Sequence, residues 1–522
     1  MQAQITQRLR LQLLSIREKY YNAIAEISNY ISDVSIETVE SFQDIKPFME
    51  EFSSKMRVIS LKCTEDMAGL AHSVIAESLS VLNQEPPCSF TAIALGSLAR
   101  GEATPYSDLE YLFLIEQKSA ETTDYFKKLA VTSYFLIGNL RETKLSTMAI
   151  EELHGWVDDR AMDGFKIDGL SDGAGNIPTG NGKGHPEDYF ILTLDELCCH
   201  YEHVLFNPNP EAALKGDFTA MLAYSSPVFT FGANDLSLEL KARMNSALPN
   251  VKRNQINLLM LHKDMEKFNF RPDQKLEDNG FTIDIKRQLY RFPSILVLDL
   301  GIVFDIRENS SWETVDKLLA VNKLSSQLKT ILLFLLSCAC YIRLAAYLFH
   351  GTRDVSMSVG YSEPRKDIPN TDHKADQSKQ RWYVHHDLFL IMCQQMVPLK
   401  DRLQTIYHNG LQILKNYHST TMWIYKVQTL HYCGRYMQAL QVLYNHMDHQ
   451  ISDGQLPRSL ETLEMYQLLD VADLMLRTSH YEEALQIYMY LKTKSAGFNS
   501  LLDVRIPLCY MNLNRFDEAA CL

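Results

Sequence analysis

The sequence predicts an α+β fold, with a small mixed sheet embedded in a mainly helical chain. Two observations predict the sheet. Residues 90–95 (FTAIAL) are small and β-branched, and residues 110–115 (EYLFLI) are strongly apolar, so both read as strands. A turn-rich segment with Gly96, Gly101 and Pro105 lies between them. A third observation predicts the helices: across most of the remaining chain, apolar residues recur at three- and four-residue spacing among charged ones.

Taken in order, residues 1–85 form an N-terminal helical region. Leu9, Leu11, Leu13 and Leu14, then Tyr20, Ile24 and Ile27, carry its periodicity, and Pro86-Pro87 closes it. The sheet-bearing domain spans 86–195, with a helix over 124–140, a short strand at 164–169 and a loop over 173–184. Helices resume over 196–417. This region contains the longest apolar stretch, residues 331–342, closed by Arg343. That stretch is too short to cross roughly 30 Å of hydrocarbon and predicts a buried core helix. Residues 355–381 are polar, with Pro364 and Pro369, and predict a flexible insertion. From Trp382 the pattern is helical again, and 418–522 form the last domain.

The 522 residues suit about three or four domains. A net charge of -13 argues against bulk affinity for nucleic-acid backbone, which calls for a basic footprint. The ten cysteines include Cys198-Cys199 and Cys338-x-Cys340, neither with zinc or redox spacing, and read as reduced thiols of a cytoplasmic protein. The polar start, residues 1–10, carries no secretory pattern, and no membrane segment is expected.

The last hundred residues repeat. Gly434-Arg-Tyr-Met-Gln-Ala439-Leu recurs as Ser479-His-Tyr-Glu-Glu-Ala484-Leu and as Asn514-Arg-Phe-Asp-Glu-Ala519-Ala. The second interval, Tyr481 to Phe516, fits the period of about 34 residues of tetratricopeptide repeats. The first, from Tyr436, needs an insertion near 448–457. The segment therefore resembles tetratricopeptide repeats, which implies a surface for a protein partner. The third copy stops inside its second helix, so a longer array is expected.

Chemistry concentrates in residues 95–114 (LGSLARGEATPYSDLEYLFL). Asp108 and Glu110 stand two apart at the start of a strand, so both side chains emerge on one face, beside the Gly96-Ser97 turn. Two carboxylates held together call for a cation. Oxygen ligands at this spacing suit magnesium (or manganese), which keeps waters and recruits substrate phosphates. Gly96 lets backbone amides approach a phosphate, and Ser97 can donate its hydroxyl.

This run resembles the DNA polymerase β-like nucleotidyltransferases: Gly-Ser, a spacer (here 98–107), then Asp-x-Asp/Glu. Arg100-Gly-Glu, Thr104-Pro and Ser107-Asp-x-Glu are similar, more narrowly, to the N-terminal domain of protein-PII uridylyltransferases. Asp284-Ile-Lys286-Arg287 resembles that family's Asp-x-Lys motif, although its following Gly-Gly-x-Arg is replaced by Gln288-Leu-Tyr-Arg-Phe. Arg343 with Gly351-Thr-Arg353-Asp354 is similar to the family's helical substrate-binding domain, with Tyr347 where a histidine is usual. The resemblance covers residues 60–400 and is strong over 95–115.

It implies attack on the α-phosphate of a nucleoside triphosphate with two divalent metal ions, moving a nucleoside monophosphate to a protein or small-molecule acceptor. The implied catalytic and metal-binding acids are Asp108, Glu110 and a third carboxylate. Asp168 is the candidate for the third, with Asp158, Asp159 and Asp163 competing. Gly96, Ser97, Arg100 and Lys286 are the implied nucleotide contacts. Gly180-Asn-Gly-Lys183 lacks the leading glycine and the Ser or Thr of a phosphate loop. His385-His386-Asp387 reads as the start of a helix rather than a phosphohydrolase site. Two functions stay open: an active nucleotidyltransferase, or a catalytically inactive scaffold of that fold whose repeats bind proteins.

Overall fold

The computed structural model describes residues 2–35, 39, 41–140, 191–199, 226–232, 236–246, 261–268, 282–306, 308–352, 356–358, 385–404, 414, 422–432, 434–447, 451, 456–494 and 499–520. Two long helices, α1 (Gln2–Ile31) and α2 (Phe42–Leu82), open the chain and pack on each other. Buried residues on α1 recur every three or four positions: Ile5, Leu9, Leu13, Ile16, Tyr20, Ile24, Ile27 and Ile31. Leu11 and Leu14 belong to its outer face and are exposed. Ser41 caps α2, its hydroxyl and backbone amide both engaging Asp44.

The sheet follows. Strand β1 (Phe90–Ala94) pairs antiparallel with β2 (Tyr111–Ile115), and the one-turn helix α3 (Gly96–Ala99) leaves β1 directly. Helix α4 (Ala120–Gly138), capped by Ser119, covers the sheet. Strand β3 (Ile191–Thr193) lies parallel to β2, and β4 (Ser226–Phe231) antiparallel to β1, giving the order β3-β2-β1-β4. The sheet is therefore mixed, as expected, yet its fourth strand comes from residues assigned above to the helical region. Pro227 interrupts the strand pattern there. It is tolerated at the edge, where a missing N–H breaks no ladder, and the register shifts beside it between Ala92 and Ile93.

Alternation sorts the two faces. Phe90, Ala92, Ala94, Tyr111, Phe113 and Ile115 pack with α1, α2 and α4. Ile93, Leu95, Leu112 and Leu114 form a second cluster with Leu192 and with Leu236 and Leu240 of α5 (Leu236–Ser246).

Beyond the sheet, β5 (Thr282–Asp284) runs into a π-helical turn, Ile285–Tyr290, and then α6 (Arg291–Val303), α7 (Ser311–Ala320) and α8 (Ser326–His350). Strand β6 (Ser356–Ser358) pairs antiparallel with β5, so the first part of the expected insertion is a strand; residues 359–381 lie outside the described ones. Helix α8 is long and apolar enough to cross a membrane by composition, but 89% of its most apolar window is buried, against α1, α2 and α6 among others. It is the core helix that residues 331–342 predicted. The upper halves of α1 and α2 join this core through Ile24, Ile27, Phe52 and Met56, while their other halves join the sheet.

Helix α9 (His386–Gln404) begins at the His-His-Asp run and packs on α10 (Met422–Tyr432). Then come α11 (Tyr436–His446), the short α12 (Arg458–Glu461), α13 (Met465–Arg477), α14 (Tyr481–Lys494), α15 (Asn499–Asn512) and α16 (Phe516–Ala520). Pairs α10–α11, α13–α14 and α15–α16 are helix hairpins whose turns hold Gly434, Ser479 and Asn514 at φ of 75°, 64° and 60°. Tyr436, Tyr481 and Phe516 each open the second helix. Ala439 and Ala484 are fully buried, whereas Ala519 is half-buried and Phe516 is 59% exposed. The eight described cysteines are all free.

One core residue is out of character. Asp299 on α6 is buried, and among the described residues neither carboxylate oxygen has a hydrogen-bond partner. Burial, and then the nearby charge of Asp264, hold its carboxyl well above the usual range, so the folded chain keeps the proton. The unfolded chain releases it from about pH 4 upward, so the folded state loses stability as pH rises from there toward the folded pKa. Asp299→Asn is expected to stabilise the protein by about 1–3 kcal/mol at neutral pH, with the advantage shrinking toward pH 4. Urea titrations at the two pH values check it; an equal difference at both would show that Asp299 is not the titrating group.

Candidate active site

The site is built where β1 ends and β2 begins. The Leu95 amide donates to the Glu110 carbonyl at 2.8 Å, which extends the β1–β2 ladder one pair past the strands. Leu109 is buried with the cluster beneath α1, α2 and α4. Its neighbours Asp108 and Glu110 therefore emerge on the opposite face, in line with Leu112 and Leu114. The expectation that both acids share one face beside Gly96 matches this arrangement.

Gly96 has φ +61°, and a Cβ placed on it would lie 1.7 Å from Glu110 Oε2. The Glu110 carboxylate thus occupies the space that glycine leaves open. Ser97 is half-exposed, and its carbonyl accepts from the Glu102 amide at 2.9 Å. Asp108 is nearly buried, with a side chain 7% exposed, and Lys286 Nζ lies 3.4 Å from its Oδ2. Lys286 is brought there by the π-helical turn, whose start is capped by Asp284 accepting from the Arg287 amide.

Arg100 is placed differently from the expected nucleotide contact. Its guanidinium is buried, with Nε 3.4 Å from Glu102 Oε2 and Nη2 donating to the Tyr290 hydroxyl at 3.4 Å. Burial works against its charge, but Glu102, Tyr290 and Glu110 together more than offset this, so the guanidinium stays protonated. Its charge is spent inside the protein.

The loop between the two halves of the motif is buried from Glu102 to Ser107. Gly101 (φ +77°) lies against Leu61 and Ser310, where a Cβ would come within 2.8 Å and 3.1 Å. Arg17 of α1 donates to the Pro105 carbonyl at 3.3 Å and stacks 3.9 Å over Tyr106. Glu102 is the hub. It accepts from Tyr290 at 2.5 Å, from Ser294 at 2.6 Å and from Ser311. Arg343 donates to the Glu102 carbonyl at 3.5 Å and to Ser107 Oγ at 3.0 Å. The roles of Tyr290, Ser294 and Ser311 had no local signal: Tyr290 stands between Leu289 and Arg291 with nothing to mark its partner, and the two serines are ordinary helix residues some two hundred positions downstream.

Asp168 and its competitors Asp158, Asp159 and Asp163 lie outside the described residues, as do Gly180–Lys183, Arg353 and Asp354. Among the described residues no group of three His, Cys, Asp or Glu side chains is placed to hold a metal ion. Asp108 and Glu110 alone offer hard oxygen donors on one face, and the glycine cradle beside them leaves backbone accessible. That donor set fits a magnesium ion shared with a substrate phosphate.

Residues 47–135 match the family described as "Putative nucleotidyltransferase DUF294". The match runs from the start of α2 through β1, the Gly96 turn and β2 into α4, and so takes in both acids. The segment is thus similar to a nucleotidyltransferase-type domain. Comparison with curated proteins finds no match.

Proposed function

We propose that the chain is a nucleotidyltransferase of the protein-PII uridylyltransferase type, which moves a nucleoside monophosphate from a nucleoside triphosphate to a protein or small-molecule acceptor. The observation that carries the reading is the Glu110 carboxylate seated against Gly96, with Asp108 on the same strand face. Asp108 and Glu110 would hold magnesium or manganese, with Asp168 as the candidate third acid. When bound, the metal supplies positive charge to the triphosphate and lowers the pKa of an attacking hydroxyl. The chain's own contribution is positional. Gly96 and Ser97 present backbone and a hydroxyl to the phosphates, and the Lys286 ammonium, beside Asp108, offsets charge that the triphosphate brings.

The direct test is transfer of label from α-labelled ATP, GTP, CTP and UTP, with magnesium or manganese, into lysate proteins and small molecules. Asp108→Asn and Glu110→Gln are each expected to lower transfer by about 100-fold or more. Transfer that survives in both variants at the parent rate would remove the site from the reaction.

A second reading has one observation in its favour. Lys286 already sets an ammonium beside Asp108, as a resident counter-charge in a retired catalytic fold would. In that reading the chain is an inactive scaffold, and no labelled product forms with any nucleotide. Under either reading the hairpins α10–α11, α13–α14 and α15–α16 act as tetratricopeptide-like repeats for a protein partner. Their matched turns and the buried Ala439 and Ala484 support this. The free thiols suit a reducing, cytoplasmic setting.

A further inference from the structure

Asp108 and Lys286 come from segments far apart in sequence, and 3.4 Å separates their charged atoms. What holds the segments in register is a buried polar cluster. On one side, Ser107 adjoins Asp108; its hydroxyl accepts from Arg343 at 3.0 Å and from the Thr104 amide at 2.8 Å. On the other, Tyr290 ends the π-helical turn that carries Lys286. The Tyr290 hydroxyl donates to Glu102 at 2.5 Å, and the Arg343 guanidinium stacks 4.2 Å over the Tyr290 ring. Glu102 and Ser107 belong to the same buried loop, so the Tyr290 hydroxyl, which donates to Glu102 and accepts from Arg100 at 3.4 Å, ties the Lys286 turn to the Asp108 segment.

Ser294 and Ser311 donate to the same carboxylate but from α6 and α7, outside that turn. Burial, and then the Glu102 carboxylate, push the Tyr290 phenol up to about 12, so it remains a donor across the physiological range.

We propose that Tyr290 is a positioning residue: through Glu102 and the loop to Ser107 it sets the Lys286 ammonium against Asp108. The proposal rests on the reading of Asp108 and Lys286 as parts of a nucleotidyl-transfer site, but the geometry it asserts can be measured without any transfer. Tyr290→Phe keeps the ring under Arg343 and removes only the hydroxyl.

The test is limited labelling of the full chain with an amine-reactive acylating reagent, with each lysine's rate read by mass spectrometry. Y290F is expected to raise the Lys286 rate about threefold to tenfold. Lys329, paired with Asp316 at 2.8 Å elsewhere on the protein, serves as the control and keeps its rate. Ser311→Ala removes a different bond to Glu102 and is expected to leave Lys286 at the parent rate. Ser107→Ala cuts the tie at the Asp108 end and is expected to raise it as Y290F does, which keeps the test open if Y290F does not fold. An unchanged Lys286 rate in folded Y290F, or an equal rise in S311A, would overturn the proposal. Calorimetric titration of the parent with each magnesium-nucleoside triphosphate separates the two readings. A parent that binds none, while Lys286 responds to Y290F and not to S311A, loses the transfer site and keeps the positioning role.

Discussion

Gly96→Ala is expected to abolish nucleotidyl transfer, with a loss of about 100-fold or more, while the secondary structure survives. Two costs fall on this one methyl group. The backbone at φ +61° disfavours any L side chain by about 1–2 kcal/mol. The larger effect is steric: the new Cβ would sit 1.7 Å from Glu110 Oε2, so the carboxylate has to leave. A shift of about 1 Å in a catalytic group is enough for a loss of that size. The measurement pairs label transfer with circular dichroism and thermal melting. The double variant G96A/E110A removes the colliding group. It is expected to recover part of the stability lost in G96A but none of the transfer, a non-additivity that identifies the clash as the cause. G96A protein with the parent transfer rate would show that the reaction does not need Glu110 where it stands.

Glu102→Ala is expected to be the most destabilising single change among the residues around the site, at about 3–5 kcal/mol. It leaves the buried Arg100 without its carboxylate partner, and it strips a partner from Tyr290, Ser294 and Ser311. The reason is the asymmetry of buried charge: a satisfied cluster contributes little net stability, whereas a broken one carries the full desolvation cost of what remains. The double variant R100M/E102A should therefore be more stable than E102A alone, although it departs further from the parent. Urea unfolding of the parent and the two variants reads this directly. A double variant less stable than E102A would assign the cost to lost packing instead.

The acid pair and its glycine were legible because strand, turn and strand are contiguous, and a period of two alone fixes which side chains share a face. Burial of Leu109 is the structural counterpart of that reading. Strand β4 was not legible: Pro227 breaks its pattern, and its partner β1 lies more than a hundred residues upstream. Arg100 was read as a ligand for phosphate because a lone arginine in a motif carries no mark of its partner. Its partner Glu102 is two residues away, but the burial that joins them comes from α6, α7 and α8. Likewise, nothing in the run RFPSILVLDLGIV says whether Asp299 faces water or core; only the packing of neighbouring helices decides it.

The two opening helices each belong to two cores, and this has a consequence for how the chain assembles during synthesis. Helix α2 sets Phe52 edge-on to Phe334 and Tyr341 of α8, whose residues are translated on the order of 270 positions later, or about 15–50 s at ordinary ribosomal speed. Through that interval the sheet-side halves of α1 and α2 can dock on β1 and β2, while the other halves display an unsatisfied apolar stripe. The α8-facing stripe of these two helices therefore stays uncovered until α8 has been made.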